Sequence, residues 1–204
     1  MDRKAHWERV YTTRQSTEVS WYQAEPTRSL ELLREAGAGP ETAIIDIGGG
    51  DSTLVDAVVA GHLGRLTVLD ISGAALARAR ARLGERAGEV TWVEADVTRA
   101  ELPAHAFDVW HDRAVFHFLT EPEDRARYAA LAAAAVRPGG TLLMATFAPE
   151  GPPRCSGLEV ARYSPEALAR ELGDAFSLTR GFGDVHHTPA GGEQRFTVAV
   201  FRRR

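Results

Sequence analysis

The chain has 204 residues, 44% of them hydrophobic and 25% charged, with a formal net charge of −4. That length suits one domain with a single large core, and the acidic balance argues against a nucleic-acid binder, which carries a basic excess. A single cysteine, Cys155, excludes an intrachain disulfide and fits a reducing compartment. No apolar run of about 18 residues occurs and the N-terminus has no apolar h-region. No membrane association is therefore expected, and the expected location is the cytoplasm.

Residues 1–40 read as an N-terminal helical cap, and residues 41–204 as one globular unit. His6, Trp7, Val10 and Tyr11 fall at helical spacing, and a second helix is expected over Thr27–Glu35, ending near Gly37. Trp21 and Tyr22 stand in the polar connector between them. They either pin the cap to the core or lie over a ligand, since an aromatic face attracts a cation by about 0.5–2 kcal/mol.

Ala43–Ile47 reads as a short buried strand, interrupted only by Asp46. Gly48, Gly49 and Gly50 follow, and Ser52, Leu54, Val55, Val58 and Val59 then show helical spacing. On their own the glycines could be a plain tight turn. A strand, a glycine turn and a helix also open a nucleotide-binding α/β fold. About twenty residues on, Leu66–Asp70 reads as a second strand ending in an acid, where a carboxylate can accept both ribose hydroxyls. A nucleoside-containing ligand is therefore expected. The dinucleotide pattern Gly-x-Gly-x-x-Gly fails, because its third glycine would fall on Thr53 or Leu54.

Beyond this unit Ser72 is placed to cap a helix over Gly73–Leu83. Val90–Glu94 reads as a third strand, followed by Asp96 and Val97; Asp96 could serve as a turn cap or face a ligand. Phe107–Trp110 reads as a fourth strand and Pro122–Val136 as a helix stopped by Arg137-Pro138-Gly139-Gly140. Thr141–Phe147 reads as a fifth strand, and Ser164 caps a helix from Pro165 to Leu172. Phe176–Phe182 and Arg195–Phe201 complete the chain as antiparallel neighbours. Cys155 is expected in a rigid loop, and His186, His187 and Gln194 in a loop between the last two strands. These loops could frame an acceptor pocket or be purely structural. Cys155 with His186 or His187 is a weak soft-metal pattern, and no metal is expected.

Asp46, Gly48 and Gly50 match Asp-x-Gly-x-Gly, and the chain here resembles the class I S-adenosylmethionine-dependent methyltransferases. Pro138-Gly139-Gly140 before an apolar strand is similar too, while Ser52 stands where many members have glycine. The resemblance implies a doubly wound, Rossmann-like α/β fold, with a seven-stranded, mostly parallel sheet of order 3-2-1-4-5-7-6. It implies S-adenosylmethionine as cofactor and S-adenosylhomocysteine as product. Asp46, Gly48, Gly49, Gly50 and Ser52 would cradle the methionine and ribose, Asp70 and Ile71 the ribose hydroxyls, and Asp96 and Val97 the adenine. His111 and Trp21 would adjoin the cofactor. The pattern Trp7…Tyr11…Trp21-Tyr22 and the phrase Leu69–Ser72 resemble the branch that methylates lysines of elongation factor or citrate synthase. More distantly, the chain resembles thiol and thiopurine methyltransferases.

The stretch His111–Phe118 puts ionisable groups among apolar neighbours, which is costly unless they are paired. Asp112 and Arg113 could form structural ion pairs. Otherwise Asp112 could orient the attacking group, with His111 or His117 as proton acceptor. Tyr22, Arg113, Cys155 and His186 are the candidates for contact with an acceptor. The expected function is methyl transfer to a small molecule, such as a thiol or carboxylate, or to a protein lysine. A nicotinamide-dependent oxidoreductase is disfavoured by the missing glycine, and a non-catalytic nucleoside-binding module by the polar cluster.

Overall fold

The computed structural model describes residues 2–204. Five parallel strands form the centre of one sheet: β1 (Ala43–Ile47), β2 (Arg65–Asp70), β3 (Thr91–Glu94), β4 (Phe107–Arg113) and β5 (Val136–Phe147). A small hairpin follows, β6 (Arg154–Cys155) with β7 (Leu158–Glu159). The long strands β8 (Phe176–His187) and β9 (Glu193–Arg203) then join the sheet antiparallel. The seven-stranded order is β3-β2-β1-β4-β5-β9-β8. It differs in detail from the expected 3-2-1-4-5-7-6, because the separate β6–β7 hairpin intervenes in the chain before the two edge strands.

The helices are α1 (Arg3–Thr13), α2 (Thr27–Glu35), α3 (Leu54–Ala60), α4 (Gly73–Leu83), α5 (Pro122–Ala135) and α6 (Pro165–Leu172). Among the described residues none is long and apolar enough to cross a membrane. Ser72 and Ser164 cap α4 and α6, accepting from the amides of Ala75 and Ala167. A side-chain acceptor there satisfies an amide with no partner inside its own helix.

Alternation along the central strands sends successive residues to opposite faces of the sheet. Ile44 and Val109 pack with Val58 and Leu33 on the face carrying α2, α3 and α4. Ile45, Ile47 and Trp110 pack with Tyr128 and Leu168 on the face carrying α5 and α6. Burying each large apolar side chain contributes about 1.5–3 kcal/mol, so both layers are needed to hold the sheet. The same alternation places Asp46 and His111 on the first face and Asp112 on the second.

Several expected boundaries move. Strand β4 runs on to Arg113 rather than ending at Trp110, so the polar cluster begins inside the strand. Strand β5 starts at Val136, and Arg137–Gly140 forms a bulge where the β4–β5 register shifts. His186, His187 and Gln194 are not in a loop: His186 pairs with Gln194 across β8 and β9, and the connection is residues 188–192. Mutual pairing of the two strands extends both beyond what their own patterning suggested.

Helix α1 is docked over the C-terminal edge of the sheet. The Glu8 carboxylate accepts from the Gly73 and Ala74 amides at 2.6 and 3.3 Å, at the first turn of α4. Arg3 pairs with Asp124, and Lys4 lies 2.5 Å from Glu94. An acid at a helix N-terminus meets both free amides and the positive end of the helix dipole. Replacing Glu8 with Ala should populate an undocked α1. Trypsin cleavage at Arg9 and Arg14 should quicken by about tenfold, the equivalent of roughly 1.4 kcal/mol, with the global melting temperature little changed. Timed digestion read by mass spectrometry checks this.

Candidate active site

The sheet order reverses direction between β1 and β4, which opens a crevice at the C-terminal ends of the strands. A cavity of about 790 Å³, its open mouth included, occupies that place. Gly48 (φ +65°) and Gly50 (φ +32°) make the turn after β1, a conformation that residues with a Cβ rarely adopt. A Cβ on Gly48 would also collide with Val115, and one on Gly50 would sit 2.6 Å from Asp70 Oδ2. The turn is therefore closed around the β2 carboxylate.

Asp70 ends β2, is buried, and accepts from the Ser72 amide at 2.8 Å. Burial pushes its carboxyl up to about 7, and the nearby Asp46 and Glu8 add to the rise while the Ser72 amide opposes it. Ile71, Asp96 and Val97 line the same cavity. Asp96 both faces the cavity and closes its own turn: Oδ1 accepts from the Thr98 amide and hydroxyl, and Oδ2 lies 3.5 Å from Arg3. Trp21 belongs to the roof, edge-on to Trp7 at 5.7 Å, and Trp7 is in turn edge-on to Phe118 at 5.0 Å. Tyr22, Gly49 and Ser52 line an adjoining recess, and the Ser52 hydroxyl accepts from the Leu54 amide at the start of α3.

The three candidate catalytic residues, His111, Asp112 and His117, do not line this cavity. His111 Nδ1 lies 2.7 Å from Asp46 Oδ1, and its Nε2 lies 2.9 Å from the Ser29 hydroxyl, so both ring nitrogens are engaged. Asp112 is fully buried on the opposite face, where it accepts from the Tyr128 hydroxyl at 2.6 Å and from the Val115 and Phe116 amides. It holds the turn after β4 and does not line the cavity; nor does it pair with Arg113. His117 is also fully buried, its Nδ1 accepting from the Phe147 amide at 3.2 Å. Burial and the nearby Arg113 push its ring down to about 3, so it stays neutral and weakly basic. None of the three offers a free base to the cavity.

Arg113 does reach the cavity, donating to the Trp21 carbonyl at 3.1 Å with its guanidinium 5.2 Å from the Phe196 ring centroid. Cys155, on β6, lines the same wall, and burial pushes its thiol up to about 11. His186 lies outside this cavity, 2.7 Å from the Ser20 carbonyl. His187 is exposed. Among the described residues no three His, Cys, Asp or Glu side chains converge as a metal site.

Four residues near the site escaped the sequence reading. Ser29 is a polar residue on the buried face of α2 beside Leu32 and Leu33, a signal that periodicity alone could have raised. Asp51, buried in the glycine loop and paired with Arg82 at 2.5 Å, was visible as a fourth loop residue. Arg3 and Glu8 carry no local signal, because their partners are distant in the chain.

Residues 44–140 match the family model described as a methyltransferase domain. An uncharacterised methyltransferase of Mycobacterium tuberculosis is 34% identical over 104 residues, covering 51% of this chain and 50% of that protein. The chain thus spans about half the length of the curated relatives it matches. A S-adenosylmethionine-dependent methyltransferase from Anabaena variabilis superposes with a TM-score of 0.78 at 16% identity, covering 100% of this chain and 96% of that one. The N-methyltransferase NodS from Bradyrhizobium japonicum, solved with S-adenosylhomocysteine, gives 0.74 at 18% identity, covering 99% of both chains. At these identities the structural likeness is one of fold.

Two stability measurements follow from the buried acids. Asp112→Ala removes the acceptor for three buried donors, each costing about 1–3 kcal/mol when unpaired. The melting temperature should fall by roughly 6 °C or more. For Asp70, burial raises the folded carboxyl from the ordinary 3.8 to about 7, so its protonated form favours folding. That contribution is complete below the unfolded value and is lost as pH rises towards 7. Asp70→Asn should therefore raise the melting temperature more at about pH 8 than at about pH 5. Thermal melts of the ligand-free protein at the two pH values decide it.

Proposed function

We propose that this chain is a S-adenosylmethionine-dependent methyltransferase acting on a small organic acceptor. The observation that carries the reading is Asp70: a buried carboxylate at the end of β2 that lines the cavity, with the Ser72 amide 2.8 Å from one of its oxygens. The residues present fit the cofactor. The glycine turn lets the Asp70 carboxylate lie against it, Asp70 can accept from ribose hydroxyls, and Asp96 and Val97 line the far end for the adenine. Trp7, Trp21 and Phe118 offer aromatic surface to a cation.

When bound, the cofactor supplies a methyl group already activated on a sulfonium. The protein's part is to align an acceptor with that methyl and keep water out. Asp70 fixes the ribose end, the aromatic roof excludes solvent, and the Asp46–His111–Ser29 bonds hold the turn after β1 against β4 and α2. His111, Asp112 and His117 do not line the cavity and Asp70 is assigned to the ribose, so no side chain is assigned to remove a proton. A nicotinamide cofactor fits less well, because the turn lacks the third glycine and carries buried Asp46 beneath it.

Calorimetry should show S-adenosylhomocysteine binding to the purified protein and no NAD binding at comparable concentrations. Asp70→Asn should weaken S-adenosylhomocysteine on the order of tenfold or more, since each charge-assisted bond is worth about 1.5–3 kcal/mol. NAD binding in place of S-adenosylhomocysteine would sink the proposal.

A further inference from the structure

We propose that Arg113 makes the acceptor end of the cavity a receptor for an anion, and that the acceptor is a small carboxylate rather than an amine. The inference rests on the methyltransferase reading and adds the substrate class. The guanidinium lines the cavity, yet no carboxylate among the described residues lies within 4.0 Å of it. Its one hydrogen bond goes to the neutral Trp21 carbonyl, and its other donors have no protein partner. The carboxylates that feel its charge are occupied. Asp46 holds His111, and Asp184 lies 3.3 Å from Arg28. The remaining neighbours are neutral: Trp21, Phe196, the protonated Cys155 thiol, and His117 and His186, whose rings are pushed down. A cation enclosed by neutral walls is costly until an anion meets it, and a guanidinium pairs with a carboxylate through two parallel bonds.

Position adds to charge. The guanidinium lies over Phe196 of β9, on the far side of β4 from Asp70 of β2, and also borders the recess of Gly49 and Ser52. The chemistry of an acceptor that is already an anion points the same way. A carboxylate oxygen can bond to the methyl carbon while the sulfur–methyl bond breaks and its electron pair stays on sulfur. No proton has to leave. A lysine ammonium would need to lose a proton before it could attack, and would approach a like charge.

The test titrates benzoate, benzamide and benzylamine into the protein saturated with S-adenosylhomocysteine, with calorimetric readout. Benzoate should bind at least tenfold more tightly than the neutral or cationic probe. Arg113→Gln should lose about tenfold or more of the benzoate affinity and Arg113→Lys should regain part of it, with S-adenosylhomocysteine affinity held within about threefold in both. That retained affinity also reports that the variants fold. Benzoate binding no tighter than benzamide, or unchanged in Arg113→Gln, overturns the proposal. Retained benzoate binding with collapsed S-adenosylhomocysteine affinity also overturns it, assigning the guanidinium to the cofactor's own carboxylate. If the wild-type protein fails to bind S-adenosylhomocysteine, the methyltransferase reading fails instead. The benzoate comparison on the ligand-free protein then still judges Arg113.

Discussion

Three carboxylates buried at the ends of adjacent strands set the terms for the rest of this structure. Asp46 of β1, Asp70 of β2 and Asp112 of β4 are 3%, 5% and 0% exposed. A buried carboxylate must find donors or keep its proton. Asp112 is answered by a tyrosine hydroxyl and two amides, and Asp46 by the His111 ring. Burial holds the Asp70 proton to near neutrality, with the nearby Asp46 and Glu8 adding to the rise and the Ser72 amide opposing it. Of these three carboxylates, Asp70 is therefore the one at a position where a ligand can supply donors.

The period of two along β4 then decides what each residue of the polar cluster can do. Trp110 and Asp112 face α5 and share Tyr128, while His111 and Arg113 face the other layer. Adjacency in sequence suggested that Asp112 and Arg113 work together, whereas adjacency in a strand separates them. Asp112 became structural, His111 became a strut to α2, and Arg113 alone was left facing the cavity.

The same contrast accounts for what was legible beforehand. The ranges of β1, α2 and α4 and the serine caps on α4 and α6 were readable, because each depends on local patterning and local hydrogen bonds. The glycine turn with its Asp70 partner was readable as a spacing. The ends of β8 and β9 were not, since Gly183 and Asp184 break the apolar alternation and only pairing with β9 keeps the strand extended. Bonds such as Ser29 to His111 and Glu8 to Gly73 span 82 and 65 residues, and no local pattern encodes them. A lone charge in a cavity is likewise invisible in sequence, because it is defined by partners that are missing.

Under the anionic-acceptor proposal, the cleft is polarised along its length. Carboxylates lie at the β1–β2 end, a guanidinium over β9, and an aromatic roof of Trp7, Trp21 and Phe118 between them. Apolar walls lower the local dielectric and strengthen both fields, so opposite charges on the two ligands are each held at their own end. Transfer of a methyl from a cationic donor to an anionic acceptor consumes both charges and leaves two neutral products. A dry, low-dielectric cavity favours a step in which charge disappears, relative to water, which stabilises the separated ions. The same loss of charge removes the attraction that Arg113 exerts on the acceptor, so the ester is held less tightly than the acid that entered. On this view a buried cation without a partner both selects the acceptor and helps to discharge the product.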